Sequence, residues 1–256
     1  MSLTIPQSAH HLVLPLTTFL NKHPRLIAFT ALATLSTPLL YNNYRAFLAL
    51  GPGGLPYNVF GWLVALGLRP FARETRNTEE YVRDGSQERW LRDDDIIARK
   101  GERPKFGWHV APVRQQNMIP SEEIAKRLDE IFERVVKLNP TLIEFGQSPH
   151  EKIHTGILLH SSFATPHQVA AKSQREVGHV HQSDHSFHVT LAPLDCKAVI
   201  ENGWGERHPL SGSSIIGLPK EYVGIYAPRD EEELVVAEKI LVASVRFMTG
   251  RTDVQH

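Results

Sequence analysis

Two kinds of hydrophobic pattern divide this chain. Between Arg25 and Arg45 lie 19 residues without Asp, Glu, Lys or Arg. At ~1.5 Å rise per residue a helix here spans roughly 28 Å, close to the ~30 Å hydrocarbon core of a bilayer. This predicts a transmembrane helix over about 26–44, although Thr30, Thr34, Ser36 and Thr37 are polar and Pro38 would kink it. A cleaved signal peptide and a buried helix of a soluble domain are the competing readings. A second apolar run, Val59 to Leu68, is too short to span. With Trp62 inside it and Arg69, Arg73 and Arg76 after it, it reads as a short interfacial helix or as one packed on the soluble domain. Residues 1–75 are therefore set apart as an N-terminal membrane-anchoring segment, with membrane lipid as a partner and a single-pass location in an intracellular membrane such as the endoplasmic reticulum. Basic residues on both sides of the span leave its orientation open.

Residues 76–256 alternate between shorter periodicities. The charge-dense stretch from Arg73 to Arg103 reads as a solvated linker or surface helix, docked by Trp90 and Leu91. From Ser121 to Leu138, Ile124, Leu128, Ile131, Phe132 and Val135 recur at helical spacing behind a Ser121 cap, and Asn139-Pro140 ends the helix. Lys152 to His160 fits a strand, and Thr165-Pro166 opens a helix towards Arg175. In Ser186 to Leu191, Phe187, Val189 and Leu191 face one side and Ser186, His188 and Thr190 the other, the period of a strand. Asp195 is expected to cap a short helix, Glu221 to Ala227 to form a strand, and Asp230 with Glu233 to start a final helix that Gly250 stops. Strands and helices do not alternate regularly. The fold class is therefore α+β: a mainly antiparallel sheet with helices packed on one face, preceded by the anchoring helix.

Composition narrows the function. The 28 Lys plus Arg balance 28 Asp plus Glu, so a nucleic-acid partner is not expected. The one cysteine, Cys196, allows no internal disulfide and is a weak candidate nucleophile. Histidine is the unusual count: 14 in all, nine of them between His150 and His208. The imidazole changes charge near neutral pH, so this region holds the candidate chemistry.

Two clusters stand out there. In Arg175-Glu176-Val177-Gly178-His179-Val180-His181-Gln182-Ser183-Asp184-His185-Ser186-Phe187-His188, His179 and His181 share one face of an extended stretch. A hairpin closing through the Gln182-Ser183-Asp184 turn would bring His188 beside them. That trio suits a metal site or a base in proton abstraction; solvent-facing histidines are the plain alternative. In Asn202-Gly203-Trp204-Gly205-Glu206-Arg207-His208-Pro209-Leu210-Ser211-Gly212, paired glycines around a tryptophan suggest a tight loop, and Arg207 beside His208 could hold an anion.

The runs Arg175 to His181, Gly203 to Leu210, and Tyr226-Ala227-Pro228-Arg229-Asp230-Glu231-Glu232-Glu233 resemble the fungal luciferases in order and spacing. Weaker likeness extends to Arg89-Trp90-Leu91, Arg103-Pro104 and the N-terminal hydrophobic segment. The resemblance implies a membrane-associated oxygenase. Such an enzyme oxidises a 3-hydroxy-2-pyrone, 3-hydroxyhispidin, with molecular oxygen as co-substrate. A peroxide intermediate loses carbon dioxide, and the excited caffeylpyruvate product emits green light. It further implies no metal or flavin cofactor. The stretch from Gln182 to Phe187 departs from the luminous relatives and needs a gap.

Cofactor-free oxygenation needs a base to form an enolate and a cation to stabilise it. On this reading His179 or His181 is the base, with Asp184 orienting it and His188 beside it. Arg207 and His208 face the developing oxyanion. Phe187 and Trp204 wall a flat aromatic pyrone, and Arg175 and Tyr226 complete the substrate-binding set. Two rivals stand beside it: a metal-dependent oxygenase ligated by His179, His181 and His188, and a membrane-tethered protein that binds a small molecule without turning it over.

Overall fold

The computed structural model describes Phe19 and residues 21–83, 85–214 and 216–256. They divide into two compact units, one ending at Ala49 and the other running Leu50–His256. In the first, helix α1 runs Pro24–Ala49. Its hydroxyls turn back on its own backbone: Thr30 Oγ1 donates to Leu26 O at 2.9 Å and Thr37 Oγ1 to Ala33 O at 2.8 Å. Leu26, Phe29, Leu32, Leu35 and Leu39 are exposed. The expected transmembrane span is nonetheless not supported, because among the described residues no helix is long and apolar enough to cross a membrane. The physical reason is dilution: Thr30, Thr34, Ser36 and Thr37, together with Asn42 and Asn43, lower the hydropathy of the uncharged stretch between Arg25 and Arg45.

The second unit opens with α2 (Val59–Leu68), capped by the Asn58 side chain, which buries Trp62 and Ala65 and exposes Phe60 and Leu63. The charge-dense segment after it is a fitted strap rather than a solvated linker. Tyr81 on α3 (Glu79–Arg83), Leu91 and Ile96 are core residues. Asp195 pins the strap by accepting from the backbone amides of Trp90 (2.9 Å) and Leu91 (3.0 Å).

The sheet follows. Its strands are β1 (Ile143–Gln147), β2 (Thr155–Leu159), β3 (Glu176–Val180), β4 (Phe187–Thr190), β5 (Gly205–Arg207) and β6 (Tyr222–Ile225). They pair in the order β1-β2-β3-β4-β6-β5, every neighbour antiparallel. One face is apolar and is covered by two helices, α4 (Glu122–Leu138) and α7 (Glu231–Thr249). Between them on the chain lie α5 (Gln168–Lys172) and α6 (Pro193–Glu201).

Helix α4 buries the predicted Ile124, Leu128, Ile131, Phe132 and Val135, with Ser121 Oγ accepting from Ile124 N. Removing each such side chain from water contributes about 1.5–3 kcal/mol. Phe132 meets Phe187 of β4 edge to face at 5.4 Å between ring centres. Helix α7 begins at the Asp230 cap and stops at Gly250, whose φ of 67° is the left-handed conformation a helix end demands. One expected cap takes another duty and one holds. Helix α6 begins at Pro193, so Asp195 lies inside its first turn and holds the strap instead. Glu233 turns back to the helix start, accepting from Arg229 N at 2.8 Å while Asp230 Oδ1 accepts from Glu233 N at 2.9 Å, and it also binds Arg99 at 2.8 Å.

Candidate active site

The opposite face of the sheet is polar, and strand register explains why. His179 of β3 is paired with His188 of β4, His188 with Gly224 of β6, and Gly224 with Glu206 of β5. Side chains on such a row point the same way, because successive residues of a strand alternate faces. Neighbouring positions two residues along add His181, Thr190, Tyr222 and His208 to that face. A bulge adds one more. Ile157 pairs with Gly178 and Leu158 with Glu176, so Val177 is an extra residue in β3. The bulge turns Glu176 onto the face of His179, and its carboxylate accepts from His179 Nδ1.

Three imidazoles form the centre. His179, His181 and His188 are each at most 3% exposed, and one ring nitrogen from each lies within 4.8 Å of the others. Each ring is fixed through Nδ1. That of His179 donates to Glu176, whose other oxygen accepts from Ser148 Oγ at 2.6 Å. That of His181 donates at 2.8 Å to Ser186 Oγ, whose own hydrogen goes to Asp184. That of His188 donates to Val223 O at 3.2 Å. A neutral imidazole donating from Nδ1 keeps its lone pair on Nε2. Among the described residues nothing hydrogen-bonds the buried Nε2 of His179 or of His181.

Around these rings lie three buried acids, Glu176, Asp184 and Glu151, and one buried guanidinium, Arg114. Arg114 grips Glu151 at 2.6 and 3.2 Å and approaches Asp184 at 3.9 Å. Glu151 Oε1 in turn lies 3.9 Å from His179 Nε2. Gly53 closes over this pair: a Cβ there would strike both Arg114 Nη2 and Glu151 Oε2, so a side chain at this position would have to push the pair aside.

Burial sets the protonation states. It holds His181 and His188 well below the usual imidazole range, helped by Arg114 beside His181 and by neighbouring imidazoles. His208 is pushed down to about 3 by burial, with His150 and His179 adding to it, and burial lowers His150 as well. For Glu176 burial acts upwards, but the attraction and hydrogen bond of His179 outweigh it and leave the carboxyl low.

Beside the cluster is a cavity of about 290 Å³, near the lower limit of ligand sites. Its polar wall is His150, Glu151, His188, His208 and Tyr222; Leu55, Leu68, Val113 and Leu210 are among the apolar lining. Tyr222 stacks on His188, 4.8 Å between centres and 19° apart, with His150 at 5.0 Å and His208 at 5.8 Å. Hydrogen bonds again set the tautomers. His150 Nε2 donates to Ser173 O at 3.2 Å, leaving Nδ1 as an acceptor. His208 Nδ1 accepts from Leu210 N at 3.1 Å, leaving Nε2–H as a donor. A larger groove of about 370 Å³ beside α4 borders His179 but no other imidazole.

The expected residues divide sharply. His179, His181 and His188 come together, Asp184 orients His181 through Ser186, and His208 lines the cavity. Arg207 does not face it. It is paired with Val223, on the other side of the sheet, where it bonds Glu80 and Asn77 O and lies over Tyr81 at 5.4 Å. Phe187 is core against Phe132, and Trp204 is core with Nε1 donating to Ile97 O at 2.6 Å. Arg175 ties the loop before it, donating to His160 O and Phe163 O, both at 2.8 Å. Tyr226 packs on Phe106 at 5.1 Å and beneath Arg99 at 5.6 Å, away from the cavity lining. Cys196 is fully buried, and burial raises its thiol well above the ordinary value, which suits no nucleophile. Sequence reasoning missed Arg114, His150, Glu151 and Tyr222. The density of histidine pointed to His150, but nothing in the sequence joined it to a loop folding over the sheet.

The luciferase-domain family profile matches residues 174–244, which include β3, β4, β5 and β6. Over 235 residues the chain is 34% identical to proteins named luciferase from Armillaria gallica and Armillaria mellea, covering 87% of this chain and 86% of theirs. It is 33% identical over 240 residues to a luciferase from Neonothopanus nambi, covering 88% of this chain and 89% of the relative. No solved structure matches. With likeness of this level over nearly the full length, and with the histidine-bearing strands inside the matched domain, the chain belongs to the fungal luciferase family.

Proposed function

We propose that this chain is an oxygen-dependent oxidoreductase that oxidises a small enolisable hydroxy-pyrone, of which 3-hydroxyhispidin is the type, with loss of carbon dioxide. The observation that supports this reading is the cavity wall on which a proton acceptor and a proton donor bracket Tyr222. His150 Nδ1 is free to take the enol proton, and His208 Nε2–H is free to donate to the oxygen that gains charge. The enolate carbon is then electron-rich enough to add oxygen. Pyrone plus O2 gives a peroxide, and its breakdown releases carbon dioxide and leaves a keto acid with all remaining atoms. The apolar part of the lining lowers the local dielectric, which strengthens both hydrogen bonds. Light emission is the radiative outcome of that breakdown when the product forms excited.

Purified chain mixed with 3-hydroxyhispidin in air, followed with an oxygen electrode and a photon counter, tests the proposal. Oxygen uptake equimolar with pyrone loss supports it. Pyrone binding without uptake would instead mark a binding protein built on the same cavity.

A further inference from the structure

We infer that His179, His181 and His188 form a binding site for one divalent first-row transition metal ion. This departs from the metal-free expectation that the family resemblance carried. Three observations meet. First, every ring is held through Nδ1 by a different kind of partner: a carboxylate, a hydroxyl polarised by a carboxylate, and a backbone carbonyl. That is the arrangement that fixes the tautomer and aims the Nε2 lone pair of a metal-ligating histidine.

Second, the lone pairs left over belong to rings packed 4.9–5.3 Å apart between centres, with ring nitrogens within 4.8 Å of one another. His179 Nε2 and His181 Nε2 are buried, and among the described residues no group hydrogen-bonds them. A buried lone pair left without a donor costs free energy. A water molecule has only two hydrogens to offer, whereas a cation satisfies all three at once.

Third, the surrounding charge suits a dication. Three buried acids face one buried guanidinium around neutral ligands, and Glu151 stands 3.9 Å from His179 Nε2. Three imidazoles with no thiolate select ions such as Zn²⁺, Fe²⁺ or Co²⁺ over Mg²⁺ or Ca²⁺. His188 belongs both to this trio and to the cavity wall, so a bound ion would adjoin the ligand space.

The test uses chelator-stripped full-length chain titrated with Co²⁺ alone and followed by its visible absorption, with Zn²⁺ stoichiometry read by elemental analysis. One ion per chain is expected. Glu176→Gln should weaken binding by about 10–100-fold, and His181→Ala should abolish it. His160→Ala removes a partly exposed imidazole outside the cluster and should change nothing. Should His181→Ala not fold, nitrogen hyperfine coupling from three imidazoles to Cu²⁺ bound by the unaltered chain answers the same question. No uptake at millimolar ion, or equal loss in His160→Ala and His181→Ala, overturns the inference. No pyrone or oxygen enters these measurements, so their failure leaves the proposed oxidation to stand or fall on its own test.

Discussion

His179 and His188 oppose each other directly across the β3–β4 pair, their ring centres 5.3 Å apart and both side chains on the polar face of the sheet. Glu176 reaches the same face only because Val177 is bulged out of register. The prediction is that Glu176→Gln loosens His179 while leaving its partner Ser148 a usable acceptor. Affinity for Co²⁺ should fall by about 10–100-fold, with a smaller change in melting temperature. Unchanged affinity with a large loss of stability would show that Glu176 serves the fold alone.

Arg207 should behave as a structural residue. Its guanidinium is buried against Glu80, Asn77 O and Tyr81. Removing one member of a buried ion pair costs about 3–5 kcal/mol, and the partial exposure of Glu80 puts this pair near the lower figure. Arg207→Ala should lower the melting temperature while the folded fraction keeps near-normal turnover, as thermal melts and kinetics on the same preparation will show.

Acid should destabilise the chain. Burial depresses His150, His181, His188 and His208 in the folded state. An unfolded imidazole with its pKa near 6.5 therefore takes up protons before the folded one does. Stability is then full above about pH 6.5 and falls as the pH drops towards the folded values. For His208, held at about 3, the cost reaches about 2 kcal/mol at pH 5. Glu176, depressed by His179, acts in the same direction at lower pH. Urea midpoints should hold level from about pH 8 to about pH 7 and decline from there to pH 5, and a profile flat throughout would mean that the imidazoles are solvated.

Gly224 sits in the row between His188 and Glu206, and a Cβ there would come within 3.1 Å of the Phe106 ring and 3.2 Å of His188 Cε1. Gly224→Ala should displace His188 and cost about 1–3 kcal/mol in packing. Turnover should fall further than stability does. A variant with normal kinetics would show that the ring position is not critical.

The fold was legible wherever one period dominates. The Ile124 to Val135 stripe and the Phe187, Val189 and Leu191 alternation led directly to a helix and a strand on the apolar side of an antiparallel sheet. The histidine trio was legible for the same reason, since alternation and a short turn suffice to gather His179, His181 and His188. Arg207 misled because adjacency in sequence means opposite faces in a strand, and the three-residue β5 looked like a loop. Arg114 and Glu151 were invisible because their pairing joins residues 37 positions apart through loops. The bulge at Val177 has no sequence signal of its own.

Oxygen uptake on 3-hydroxyhispidin by the full-length chain and by His208→Ala and Arg207→Ala, with photons counted in the same cuvette, tests the central claim most directly. The account predicts equimolar loss of oxygen and pyrone with release of carbon dioxide. Turnover should fall by about 10²–10³ in His208→Ala, the usual effect of removing one oxyanion donor, and be nearly unchanged in folded Arg207→Ala. No uptake at saturating pyrone, or equal uptake by the unaltered chain and His208→Ala, would contradict it.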